Sequence, residues 1–148
     1  MKRVKPKTFK IYTFGCRLNQ AESQALESKF VSQGLKPEPI DKADLVVVNS
    51  CAVTAKAEKE ARQLLKRIRR ENPQSEIWLA GCMAERMNKK PQDLSFDKLV
   101  NNLEKRKWFS GDIIFENKQV RGFVPIQTGC DNFCSYCIVP YLRGRSVS

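Results

Sequence analysis

The sequence predicts an α/β fold, a doubly wound parallel sheet, on two observations. Predicted strands and helices alternate through the first two thirds of the chain, and the strand at residues 45–49 (LVVVN) is apolar almost throughout. A strand covered by helices on both faces of a parallel sheet has that continuous pattern. Right-handed strand–helix–strand units then wind the helices onto the two faces.

Each element carries its own signal. Residues 9–14 (FKIYTF) are a β-prone run behind a lysine-rich start. Residues 19–33 place Ala21, Ala25, Leu26 and Phe30 at helical spacing, and Gly34 follows as a helix-ending residue. Residues 53–71 are the clearest helix, with Ala57, Ala61, Leu64, Leu65 and Ile68 on one stripe. Lys59, Arg62, Lys66, Arg69 and Arg70 cover the rest of its surface, and Asn72-Pro73 stops it. Residues 76–80 (EIWLA) form a third strand and 84–90 a short helix before Pro91; Lys98–Val100 is a fourth strand, followed by a short helix through Lys107. Residues 110–121 read as a connector. A new apolar run at 123–127 then begins, with one loop and a tail behind it, too little for a domain of its own. The expected division is therefore 1–118 as the α/β domain and 119–148 as the start of a second, truncated one.

Composition narrows the chemistry. The 148 residues hold 27 lysines and arginines against 16 acids, a formal charge of +11, and no histidine. Histidine metal ligands, histidine general bases and Ser-His-Asp triads are excluded. No apolar run approaches the roughly 18 residues of a membrane span, and the apolar stretch behind the basic start is too short for a signal peptide. A cytoplasmic protein with no membrane partner is expected. There, six cysteines point to metal or redox chemistry rather than three disulfides. The positive charge points to an anionic partner, most simply a nucleic acid.

The cysteines fall into two sets. Cys16, Cys51 and Cys82 each follow a predicted strand, through Gly15, Ser50 and Gly81. In a parallel sheet all strand C-termini lie at one edge, where open α/β folds bind their ligands. Three distant cysteines are thus expected to converge there, although buried cysteine also serves as a small hydrophobe. Cys130, Cys134 and Cys137 form a C-x3-C-x2-C cluster (CDNFCSYC). A structural zinc site takes four ligands, usually as two separated pairs, whereas three thiolates on one loop suit a [4Fe–4S] cluster with one iron open.

C-x3-C-x-aromatic-C, with Tyr136 as the aromatic, resembles the signature of the radical S-adenosylmethionine (SAM) enzymes. The segments TFGCRLNQAES, VVVNSCAVTAKAEKEARQ, LAGCMAE and VPIQTGCDNFCSYCIVPYLRGR resemble the methylthiotransferases in particular, over essentially the whole chain. The resemblance implies a methylthiotransferase N-terminal domain followed by the first strand and cluster loop of a radical SAM barrel. It implies that Cys16, Cys51 and Cys82 ligate one [4Fe–4S] cluster, that Cys130, Cys134 and Cys137 ligate a second, and that Tyr136 lies near the adenine of SAM. In the family's mechanism the second cluster binds SAM at its open iron and cleaves it to a 5′-deoxyadenosyl radical, while the first holds the sulfur that is methylated and inserted. An electron donor and a sulfur source are implied as partners.

Three branches of the family act on different substrates. Arg17-Leu18-Asn19-Gln20 after Cys16, and Ala52-Val53-Thr54 after Cys51, resemble the branch that methylthiolates threonylcarbamoyladenosine beside the tRNA anticodon, rather than the isopentenyl-adenosine or ribosomal-protein branches. A basic surface fits tRNA: Lys2, Arg3, Lys5, Lys7, Lys10 and Arg17 precede the first acid, Glu22, and the 53–71 helix adds seven cations. Arg143 and Arg145 of YLRGRS match a family segment but receive no role. Trp78 and Trp108 read as core or contact aromatics. The competing readings are a non-catalytic iron–sulfur module that binds RNA, and a zinc-stabilised RNA-binding domain.

Overall fold

The computed structural model describes residues 5–89, 95–109 and 123–148. Among these residues five parallel strands form one sheet: β1 (Thr8–Thr13), β2 (Lys36–Pro37), β3 (Leu45–Ser50), β4 (Glu76–Gly81) and β5 (Lys98–Val100), in the order β2-β1-β3-β4-β5. The helices are α1 (Arg17–Ser32), α2 (Ala55–Glu71), α3 (Cys82–Lys89), α4 (Asn102–Arg106) with a 3-10 turn at Lys107–Phe109, and α5 (Val139–Arg143).

Alternation along the strands divides the core in two. Leu45 and Val47 of β3 face one side, with Phe9, Ala80 and Val100, and are covered by Ala25, Leu26 and Phe30 of α1 and by Trp108. Val46 and Val48 face the other side, with Ile77 and Leu79, beneath Ala61, Leu65 and Ile68 of α2 and Met83 and Met87 of α3. Helices on both faces explain why β3 carries no polar residue until Asn49, and the domain is doubly wound as its sequence predicts. Trp78 is half-buried against the first core, its ring edge-to-face with Phe30 at 6.2 Å.

The boundaries shift in informative places. α3 begins at Cys82 itself, two residues before its predicted start, so this cysteine sits on the first turn of a helix. β2 is only two exposed residues and has no sequence signal of its own; pairing of Thr8 and Phe9 with Lys36 and Pro37 creates it. Residues 123–127, expected as a first barrel strand, form no strand here. Val124 and Ile126 are exposed, and the nearby pairing is a single antiparallel bridge between Thr128 and Val147. A strand needs a neighbour to satisfy its backbone, and none is present for this run among the described residues. The expected connector at 110–121 and the boundary at 118/119 lie outside the described residues, as do Lys2 and Arg3.

Candidate metal centre

The chain turns from β1 outward to β2, then crosses back to β3, so the switch point of the sheet lies between β1 and β3. At such a point the following helices leave toward opposite faces and open a crevice beyond the strand ends. Cys16 caps the start of α1 on one side of it, and Cys51 follows β3 directly on the other. Cys82 follows β4, the next strand. The three loops are thus brought to one edge, as expected.

Their crowding is visible at Gly15: a Cβ built there would overlap Cys51 Cβ and stand 2.9 Å from Cys51 Sγ, at a backbone φ of +97°. Only glycine lets the Cys16 loop approach Cys51 so closely. Cys51 and Cys82 are buried and Cys16 is exposed; the Val53 amide donates to Cys51 Sγ at 3.4 Å. Burial pushes the Cys82 thiol up, and the charges of Arg143 and Lys105 together with a bond from Asn102 work against that rise.

The second set is arranged differently. Cys130, Cys134 and Cys137 are half-exposed on a loop closed by the Thr128–Val147 bridge, by the Cys130 amide donating to Gly144 O at 3.1 Å, and by Ser146 Oγ donating to Asp131 Oδ2 at 2.7 Å. The Cys137 amide donates to Cys134 O at 3.0 Å, which folds the C-x2-C end into a turn. Tyr136 is 91% exposed, and Phe133 packs edge-to-face on Tyr141 at 5.8 Å.

Among the described residues, no three Cys, Asp or Glu side chains converge tightly enough to enclose a single ion. A [4Fe–4S] cube is held at its corners, so its ligands stand further apart than the donors around one zinc ion. Three thiols per set without histidine, a glycine approach at Gly15, and buried cations beside Cys82 fit such a group better than a closed zinc site.

Residues 8–100, well over half of the chain, match the family described as "Uncharacterized protein family UPF0004". The chain belongs to this family, which is found in the methylthiotransferases. It is 42% identical to "Threonylcarbamoyladenosine tRNA methylthiotransferase MtaB" of Chlamydia pneumoniae, over 95% of this chain and 37% of that protein. It is 35% identical to the protein of the same name from Rickettsia prowazekii, over 93% of this chain and 36% of that one. A "tRNA-2-methylthio-N(6)-dimethylallyladenosine synthase" of Desulfotalea psychrophila matches at 32%, over 98% of this chain and 40% of that one. This chain therefore spans about two fifths of the length of these relatives or slightly less. No described helix is long and apolar enough to cross a membrane.

Beside the sheet-edge thiols the chain buries a charged group that its sequence pattern does not announce: Glu22, Lys105 and Arg143, with Asn19 between them. One signal was available. Asn19 and Glu22 continue the buried stripe of α1 toward its N-terminus, and Asn102, Lys105 and Trp108 follow at spacings of three, all buried.

Proposed function

We propose that this chain is the N-terminal part of a cytoplasmic tRNA methylthiotransferase that uses radical SAM chemistry. Its reaction replaces the C2 hydrogen of N6-threonylcarbamoyladenosine, beside the anticodon, with a methylthio group. The observation that carries the reading is the distribution of six thiols as two separate trios, one along the C-terminal edge of a parallel sheet and one on a single closed loop.

In this reading Cys16, Cys51 and Cys82 hold one [4Fe–4S] cluster, Cys130, Cys134 and Cys137 hold the other, and Tyr136 stands beside the adenine of SAM. When bound, the clusters supply the electron that cleaves SAM and the sulfur that is inserted, chemistry that no side chain can perform. The protein's share is to leave each trio without a fourth thiol, so that one coordination position stays available for an outside ligand. Half-exposure of the loop trio lets a small molecule reach it, while burial of Cys51 and Cys82 limits water at the sheet edge. The electron donor and the sulfur source are separate partners, and the division of the chain at 118/119 separates the two trios.

The threonylcarbamoyladenosine branch is supported by the residues after Cys16 and Cys51 and by 42% identity to one relative of that name, against 32–35% to dimethylallyladenosine synthases. Deleting the gene that encodes this segment is expected to remove 2-methylthio-threonylcarbamoyladenosine from digested tRNA, read by mass spectrometry. Loss of the isopentenyl derivative instead would assign the other branch.

A tRNA partner is supported by α2, whose outer face carries Lys56, Lys59, Lys66, Arg67 and Arg70, all exposed. Lys56 and Arg67 meet Glu60 and Glu71 within the helix, surface pairs weak enough for phosphate to displace. If about four of these cations contact phosphates, affinity is expected to fall about 100-fold between 50 and 200 mM salt. An affinity indifferent to salt in a filter-binding titration would refute a phosphate-contacting face.

A further inference from the structure

Two arginines follow the loop trio in YLRGRS, and the function proposed above uses neither. They fall in opposite environments. Arg145 is exposed, whereas Arg143 at the end of α5 is 7% exposed and lies within the first domain's charged group. Its guanidinium reaches α1, donating from Nη1 to Glu22 Oε1 at 2.9 Å and from Nη2 to Asn19 Oδ1 at 2.5 Å. Lys105, 0% exposed on α4, pairs with the other Glu22 oxygen and lies 3.4 Å from Asn19 Oδ1. Burial works against the charge on Arg143, but Glu22 more than offsets it and holds the guanidinium firmly protonated.

A second anchor lies one residue earlier. Leu142 packs into the core beneath α2 and α3, and its carbonyl accepts from Asn102 Nδ2 at 2.6 Å. Asn19, in turn, spends its own amide on the sheet edge, donating to Phe14 O at 2.8 Å and Ser50 O at 3.2 Å. Those carbonyls stand just before Gly15-Cys16 and immediately before Cys51. A continuous line of bonds therefore runs from the Cys16 and Cys51 loops, through Asn19, to the helix that ends the Cys130–Cys137 segment.

We infer that Arg143 is a positioning residue: its two-pronged seat on Glu22 and Asn19 registers the loop bearing Cys130, Cys134 and Cys137 against the loops bearing Cys16 and Cys51. A planar guanidinium can satisfy both acceptors at once; a lysine ammonium is a point charge and cannot hold both in the same geometry. Removing the cation leaves the Glu22 carboxylate buried with only Lys105, and a buried charge that loses a partner destabilises what it anchored. The catalytic meaning of this register rests on the two-centre reading above, but the docking itself does not.

Hydrogen–deuterium exchange on the intact protein, before and after reconstitution with iron and sulfide, tests it. In Arg143→Met the amides of Thr128, Cys130 and Val147, whose bonds close the loop, are expected to exchange at least tenfold faster. The amides of Val46, Val47 and Val48 in β3 should hold their wild-type rates, showing an intact sheet. Arg143→Lys should restore little of the protection, and Arg145→Met should leave it unchanged. Unchanged loop exchange in Arg143→Met, full rescue by lysine, or parallel acceleration in β3 would each overturn local docking by Arg143. Failure to take up iron would instead count against the two-centre reading, and the exchange measured without iron still decides the docking.

Discussion

Replacing Cys134 with alanine is expected to halve the iron and sulfide that the protein takes up on anaerobic reconstitution, from about eight of each to about four. Replacing Cys51 should remove the complementary half. The expectation rests on the separation of the trios: Cys51 belongs to a sheet edge built from three strands, and Cys134 to a loop closed on itself. Losing one of three thiolates empties that centre and leaves the other's ligands in place. The Cys134 substitution should leave the fold unchanged, because its side chain is half-exposed and outside both cores. Cys51 is buried, and its truncation should lower stability by about 1 kcal/mol. Metal analysis with absorption and electron paramagnetic resonance spectra reads the outcome. If both centres vanish in either variant, the division into two trios is wrong; about one zinc without iron would replace the radical reading with a metal-stabilised binding domain.

Gly81→Ala is expected to destabilise the domain by about 3 kcal/mol or more, whereas Gly34→Ala should be limited to about 1 kcal/mol. Both glycines have positive φ, +92° and +86°, so both substitutions meet the same penalty for a side chain in left-handed backbone. Their surroundings differ. A Cβ at Gly34 meets nothing within 4 Å, while one at Gly81 overlaps Ser50 O and stands 2.9 Å from Asn49 Oδ1. Ser50 pairs with Gly81 across the β3–β4 ladder, so the obstacle is a backbone atom of the sheet centre and cannot swing aside. Urea unfolding gives the comparison directly. Because Cys82 comes next in the chain, Gly81→Ala should also reduce iron uptake by the sheet-edge trio, and Gly34→Ala should not. Equal destabilisation by the two substitutions would mean that β3 and β4 do not approach closely at this edge.

Much of this arrangement was legible in the residues, for reasons that also explain what was missed. β3 announces itself because burial on both faces removes every polar residue from 45 to 48, and α2 because only one of its faces meets the core. That the loops carrying Cys16, Cys51 and Cys82 share one edge follows from topology alone, since parallel strands have a common C-terminal edge. β2 and α5 were not readable because neighbours make them: two exposed residues paired to β1, and five residues held by Leu142 and Arg143. The run at 123–127, expected as a strand from its apolar character, has no partner strand among the described residues. The charged group was hidden by residue type. Glutamate, lysine and arginine belong on surfaces unless paired, and the partners here lie 83 and 121 positions from Glu22 along the chain, beyond any local pattern.

The two trios also differ in how much of the fold each one needs. Cys130, Cys134 and Cys137 fall within eight consecutive positions, so closing one short loop gathers them. Cys16, Cys51 and Cys82 are spread over 67 positions and meet only once β1, β3 and β4 have paired in order. Bringing such distant segments together is slow compared with closing a short loop. In the proposed reading the sheet-edge trio therefore depends on the paired sheet beneath it, whereas the loop trio depends only on the closure of its own segment.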